Sequence, residues 1–139
     1  VEWGPKGLCA LHLGGSGKDR GTCEPEFERL LFDLREYLKG KPVKFKTPLD
    51  LAGLPVFTRK VLARLSRIPF GKTLTYGDLA SKVGNPKGAR AVGQAVGRNP
   101  LPIVVPCHRV LAHHGGLGGF GAGLDWKRFL LDLEGIPYH

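Results

Sequence analysis

The 139-residue sequence has no methionine, three cysteines, and only four acidic residues beyond position 52. The missing methionine by itself excludes nothing. Three cysteines exclude a framework of several disulfides. No run of about 18 apolar residues is present, so no membrane-spanning helix is expected. No basic start leads into an apolar stretch and a small-residue cleavage site, so no secretory signal is expected. The reading is cytoplasmic, and nucleoid-associated in a prokaryote. The Gly-rich stretch 115–123 lacks the Lys-Ser/Thr of a phosphate loop. Nothing suggests a nucleotide, S-adenosylmethionine or metal site, so no cofactor is expected.

Hydrophobic residues make up 42% of the chain, enough for one core, and the 21 glycines and 11 prolines read as turns and close backbone contacts. The net charge of +9 is uneven: residues 1–52 carry +1 and residues 53–139 carry +8. A basic half of this kind points to a polyanionic partner, most simply nucleic acid, or else to a merely basic surface.

Residues 7–13 read as a strand, followed by a flexible turn at Gly14–Gly17. Phe27, Leu30, Leu31, Leu34, Tyr37 and Leu38 recur at helical spacing, with Gly40 as the stop. Residues 42–46 alternate apolar and basic, as an edge strand does. Residues 1–52 thus read as a small α/β lobe and 53–139 as a mostly helical domain, α+β as a whole. In the second part, Phe57, Val61, Leu62 and Leu65 mark one helix. Thr75 can cap a short helix at about 76–83, and Gly84-Asn85-Pro86 turns the chain into a third at about 87–97. That pair reads as a helix-turn-helix or as an ordinary helical hairpin. The third helix is smooth with Gly and Ala around Arg90, which costs helix stability and implies a close neighbour, either duplex DNA or a packed helix. A last helix, about 124–134, is expected to bury Trp126, Phe129, Leu130 and Leu133. Glu134 stands at its negative end, where a carboxylate needs a cation or donor.

Cys107 follows an apolar run and adjoins His108. An imidazole can take a thiol's proton, and a carboxylate can fix the imidazole's tautomer and stabilise its cation. Cys107, His108 and Glu134 supply these groups. The alternative is a buried structural thiol. Cys9 and Cys23 read as small core-filling thiols or, with His12, as a disulfide or metal site.

The segment Pro106-Cys107-His108-Arg109-Val110, after Ile103-Val104-Val105, resembles the active-site signature of the O6-alkylguanine-DNA alkyltransferases. Thr75-Tyr76-Gly77, Gly84-Asn85-Pro86-Lys87-Gly88-Ala89-Arg90-Ala91-Val92-Gly93 and Arg98-Asn99-Pro100-Leu101-Pro102-Ile103 follow that family's order and spacing. The resemblance covers about residues 55–135 and is weak across 1–52. It implies a ribonuclease H-like N-terminal lobe and a helix-turn-helix domain. The implied activity is flipping of O6-alkylguanine from duplex DNA and irreversible transfer of the alkyl group to Cys107, once per molecule. His108 would activate Cys107 through a water, Glu134 would orient His108, and Asn99 would brace the active-site turn. Tyr76 would protonate the departing guanine and crowd the target's phosphate. Arg90 would fill the gap in the base stack, on a helix whose Ala89, Ala91, Gly93, Gln94 and Arg98 face the minor groove. Backbone groups of Cys107 and Val110 would read the base edge, with Pro102, Phe120 and Gly121 walling the pocket. Phe120 and Gly121 stand where the family commonly has Tyr and Ser. The implied protein is a monomer with no metal and no membrane partner.

Three other readings compete. An alkyltransferase-like recognition protein would lack the acceptor Cys107. A transcription regulator would need more base-reading side chains than Arg90 and Gln94. A cysteine hydrolase would place its His far from the Cys in sequence.

Overall fold

The computed structural model describes residues 1–13, 24–120 and 123–139. The expected Gly14–Gly17 turn, Cys23 and Gly121 lie outside the described residues. Strand β1 (Glu2–Gly4) pairs antiparallel with β2 (Gly7–Ala10). The alternation in β2 buries Leu8 completely. The chain later returns beside it: the Leu8 N–H donates to the Pro48 carbonyl and the Asp50 N–H to that of Leu8, both at 2.8 Å.

Helix α1 (Glu24–Leu38) buries Leu30 and Tyr37, two turns apart on one face. It stops before Gly40, whose φ of +85° favours glycine. Helix α2 (Val56–Leu65) turns Thr58, Val61, Leu62 and Leu65 inward. Strand β3 (Leu74–Thr75) runs straight into α3 (Tyr76–Lys82). Thr75 caps α3 in a full capping box with Asp78. After a turn, α4 (Ala89–Gly97) buries Val92, Ala95 and Val96 against α2 and α3. A 3-10 turn (Cys107–Arg109) leads into β4 (Val110–Leu111), and α5 (Leu124–Leu133) follows. Strand β4 pairs in parallel with β3, Leu74 opposite Val110 and Thr75 opposite Leu111. This pairing brings the start of α3 beside the turn that carries Cys107. The fold is mixed α+β, and one apolar cluster joins Leu8 and Leu30 to Val61, Leu65, Leu79, Val92 and Val105.

Three expectations are corrected. Residues 42–46 form no strand and pair with no described strand; the bridge of Leu8 to Leu49 lies just beyond them. Its alternation records burial, since Val43 and Phe45 turn inward while Lys44 and Lys46 stay exposed. The strand expected at 7–13 ends at Ala10, and its partner β1 carries no pattern of its own. Helix α5 is rotated from the expected face. It buries Lys127, Leu130 and Leu131, while Phe129 is 47% exposed against Trp126. Once Lys127 is satisfied inside, the 127–130–131–134 row becomes the inner face.

Candidate active site

Residues 101–105 form a buried turn just before Cys107, and Ile103 there has φ = +75°. A β-branched residue in that region is strained by about 1–3 kcal/mol and needs its surroundings to hold it. Asn99 does so from both ends. Its Oδ1 accepts from the Leu101 N–H and its Nδ2 donates to the Val105 carbonyl, each at 2.9 Å. The Cys107 N–H closes the turn on the same Val105 carbonyl at 2.8 Å.

Cys107 lines a cavity of about 510 Å³. Tyr76, Asn99, Pro102 and Phe120 share its wall, with Ala89, Arg90, Gly93 and Gly97 of α4. Ala89, Gly93 and Gly97 recur every four residues, so the smooth row of α4 is the row facing the cavity. Ala91, Gln94 and Arg98 are exposed and lie off the cavity. Val110 is fully buried beside this wall, and its carbonyl accepts from Lys127 Nζ at 2.8 Å.

His108 and Glu134 are both buried, with Nε2 and Oε2 2.5 Å apart. A carboxylate only accepts, so Nε2 carries the hydrogen and Nδ1 keeps the lone pair of the neutral ring. Nδ1 is buried with no partner among the described residues, so it is the nitrogen free to take a proton. Glu134 caps the C-terminus of α5 and gathers further donors. Tyr37 donates to Oε2 at 2.6 Å, the Gly71 N–H to Oε1 at 2.9 Å, and Arg109 Nε to Oε1 at 2.8 Å. Arg109 Nη2 adds a bond to Oε2 at 3.1 Å, and Nη1 donates to the Ile68 carbonyl at 2.7 Å. Burial alone would raise the Glu134 carboxyl, but the His108 and Arg109 bonds hold it down at about 2. Burial pushes the His108 imidazole down and the Cys107 thiol up, although an Asn99 hydrogen bond and the Lys127 charge favour the thiolate. The pair therefore rests as thiol and neutral imidazole, with a fixed anion behind the ring.

Lys127 is fully buried, and its Nζ donates to the carbonyls of Val110, Leu117 and Gly119. Burial lowers the ammonium to about 8, so it stays charged at neutral pH. It lies 5.9 Å from the centre of the Tyr76 ring and ties the Gly-rich segment beside it. That segment needs Gly118: φ is +66°, and a Cβ there would lie 2.8 Å from the Tyr76 hydroxyl oxygen. Lys127→Met strands the buried carbonyls of Val110 and Leu117, so a loss of about 3 kcal/mol is expected in urea unfolding. A loss below about 1 kcal/mol would mean that water or a shifted donor replaces the ammonium.

Sequence reasoning missed Tyr37, Gly71, Lys127 and the role of Arg109. For Lys127 a signal existed, because it shares its helical row with Leu130, Leu131 and Glu134. Cys9 donates to the Glu2 carbonyl and His12 pairs with the Glu2 carboxylate at 2.7 Å. No metal-binding group occurs among the described residues.

Residues 56–136 match the family model for the 6-O-methylguanine DNA methyltransferase, DNA binding domain. The methylated-DNA–protein-cysteine methyltransferase of Haemophilus influenzae is 44% identical over 115 residues, 82% of this chain and 64% of that protein. The constitutive Bacillus subtilis protein of the same name is 48% identical over 106 residues, 76% of this chain and 64% of that one. The matched stretch thus spans just under two thirds of each relative. A crystal structure of Mycobacterium tuberculosis OGT in complex with DNA superposes with a TM-score of 0.80 at 38% identity, covering 91% of this chain and 79% of that one. With more than half of its length under the family model and relatives this similar, the chain belongs to the 6-O-methylguanine DNA methyltransferase family.

Proposed function

We propose that the chain repairs O6-alkylguanine in duplex DNA by direct reversal, with Cys107 as the alkyl acceptor. The observation that carries this is the placement of the Cys107 thiol on a cavity walled by α4 and Tyr76, next to an imidazole with a free buried Nδ1. The thiol proton passes to His108 Nδ1, through one bridging water. Sulfur then attacks the alkyl carbon. The S–C bond forms as the C–O6 bond breaks, and guanine leaves with the electron pair. Tyr76 protonates the departing ring and takes a proton back from solvent, while the imidazolium, stabilised by Glu134, releases the thiol's proton to solvent. The lesion supplies the group transferred, so the step needs no cofactor. The thioether has no exit in this chemistry, so each molecule acts once.

The DNA partner rests on the basic charge beyond residue 52, the family match and the DNA complex of the Mycobacterium tuberculosis relative. A target inside a duplex must be flipped out, at a cost of a few kcal/mol. We assign Arg90 as the side chain that fills the vacated stack. Ala89, Ala91 and Gly93 let α4 approach the sugar–phosphate walls of the minor groove, with Gln94 and Arg98 also facing the DNA. Pro102 and Phe120 wall the base pocket, and Asn99 braces the turn. Residues 1–52 form a ribonuclease H-like lobe and 53–139 the DNA-binding and acceptor domain, acting as a monomer in the cytoplasm, on the nucleoid in a prokaryote. No described helix is long and apolar enough to cross a membrane.

The test is intact-protein mass spectrometry after incubation with an oligonucleotide carrying one O6-methylguanine. A gain of one methyl mass on Cys107, saturating at one per protein, is expected. Tight lesion binding with no mass change would instead make this a recognition protein. Arg90→Ala is expected to slow transfer from duplex DNA at least about tenfold, because the flipped state loses its stand-in. Transfer from free O6-methylguanine base should be unchanged. Equal losses on both substrates would remove Arg90 from the flipping step.

A further inference from the structure

Glu134 draws its donors from three separate parts of the chain, and one of them comes from the N-terminal part. Tyr37 sits in the last turn of α1, 97 residues from Glu134 in sequence, and its hydroxyl reaches Oε2 at 2.6 Å. The same hydroxyl oxygen lies 3.2 Å from His108 Nε2. Tyr37 is fully buried, and its ring is clamped by Phe45 at 6.1 Å and Phe70 at 6.0 Å between centroids. A phenol that merely filled the core would not need its oxygen on the carboxylate that orients the base.

We infer that Tyr37 is a positioning residue of the acceptor site, contributed by the N-terminal part to hold Glu134 ionised and aimed at His108. The inference rests on the reading of Cys107 as acceptor. Oε2 takes hydrogen bonds from Tyr37, His108 and Arg109, while Oε1 is held by Arg109 and the Gly71 amide. Without the phenol, the carboxylate is free to rotate onto the Arg109 guanidinium, and its bond to His108 lengthens. A less well placed anion stabilises the imidazolium less, so the Cys107 thiolate forms only at higher pH. The other charged or titratable groups around the pair are Arg109 and Cys107 of the 3-10 turn and Lys127 of α5. All of them persist when Tyr37 becomes Phe. Burial and the Glu134 contact push the phenol's own ionisation far above the physiological range, so it serves as a fixed donor and does not titrate.

The experiment compares the full chain with its Tyr37→Phe and Phe45→Leu variants. Two rates are read against pH. One is carbamidomethylation of Cys107 by iodoacetamide, mapped by peptide mass spectrometry to separate it from Cys9 and Cys23. The other is single-turnover methyl transfer from the methylated oligonucleotide. Tyr37→Phe is expected to lower both rates about tenfold at neutral pH, and to move the rising limb of each profile to higher pH. Phe45→Leu loosens the packing around the same ring and should lower the melting temperature while leaving the limb in place. A Tyr37→Phe limb that coincides with that of the unaltered chain would overturn the inference, whatever the stability. A shifted iodoacetamide limb in a chain whose unaltered form transfers no methyl would leave the Tyr37 role standing and overturn the acceptor reading.

Discussion

Cys107→Ala is expected to abolish methyl transfer outright while leaving affinity for lesion-bearing duplex within a few-fold of the unaltered chain. The thiol is the nucleophile on the cavity wall, and alanine offers nothing to attack with. The groups proposed to hold DNA are untouched, because Arg90, Tyr76 and the small-residue row of α4 reach the cavity from other elements. The fold should survive, since Cys107 is nearly buried and the change removes one sulfur atom from the core, a cost of about 1 kcal/mol. Cys107→Ser should be equally inactive, because a hydroxyl is far less acidic than a thiol and a neutral imidazole cannot ionise it to a useful extent. Methyl transfer is read by intact mass and by loss of the modified base. Binding is read by titration of labelled duplexes with and without the lesion, at one fixed salt concentration. A Cys107→Ala chain that still gains a methyl mass would move the acceptor to Cys9 or Cys23 and sink the proposed chemistry.

What the sequence discloses of this site depends on how far apart the interacting groups lie. Thr75 and Asp78 announce the α3 cap because both halves of the capping box fall within one turn. Cys107 and His108 are neighbours, and the misfit of Glu134 at a helix C-terminus signals that donors are required. Which donors answer is a matter of tertiary structure. Tyr37 looks like one more core residue in the α1 periodicity, and nothing local marks its hydroxyl. Gly71 acts through its backbone N–H, which no side-chain pattern reveals. Lysine is ordinarily kept outside, so Trp126 and Phe129 mark the expected face of α5 and Lys127 does not. Those two rings stack edge-to-face at 6.0 Å beside an apolar groove shared with Leu11, Leu34 and Leu38. The 42–46 segment misled for a related reason. An alternating pattern reports which side chains are buried, and pairing needs a neighbouring strand, which no described residues supply there.

Glu134→Gln should produce the second large effect, because one carboxylate serves both the chemistry and the fold. In the native chain the anion is matched by the buried Arg109 guanidinium, which also lies over the Phe70 ring at 5.8 Å. Glutamine keeps the shape but leaves that guanidinium without its counter-charge, and breaking a buried pair in this way costs about 3–5 kcal/mol. The amide also turns a donor toward groups that themselves donate, so some of the Tyr37, Gly71, His108 and Arg109 bonds must be given up. For the chemistry, His108 loses the anion that stabilises its protonated form, and a drop of at least about a hundredfold in the transfer rate follows. The pH dependence supplies a separate signature. Glu134 is held at about 2 in the folded chain against an ordinary 4.5, so its contribution is complete above 4.5 and lost as pH falls through 2. That window is worth about 3 kcal/mol, at roughly 1.4 kcal/mol for each tenfold change in the acid's dissociation constant. Urea unfolding at neutral pH and at successive steps into that window should show the unaltered chain losing this increment and Glu134→Gln lacking it. Transfer is measured on chain shown to be folded at the assay temperature, which keeps the chemical loss separate from unfolding. Parallel acid limbs for the two chains would mean that the carboxylate is not held ionised by its partners. Both the assignment of His108 Nδ1 as the base and the proposed positioning by Tyr37 would then lose their footing.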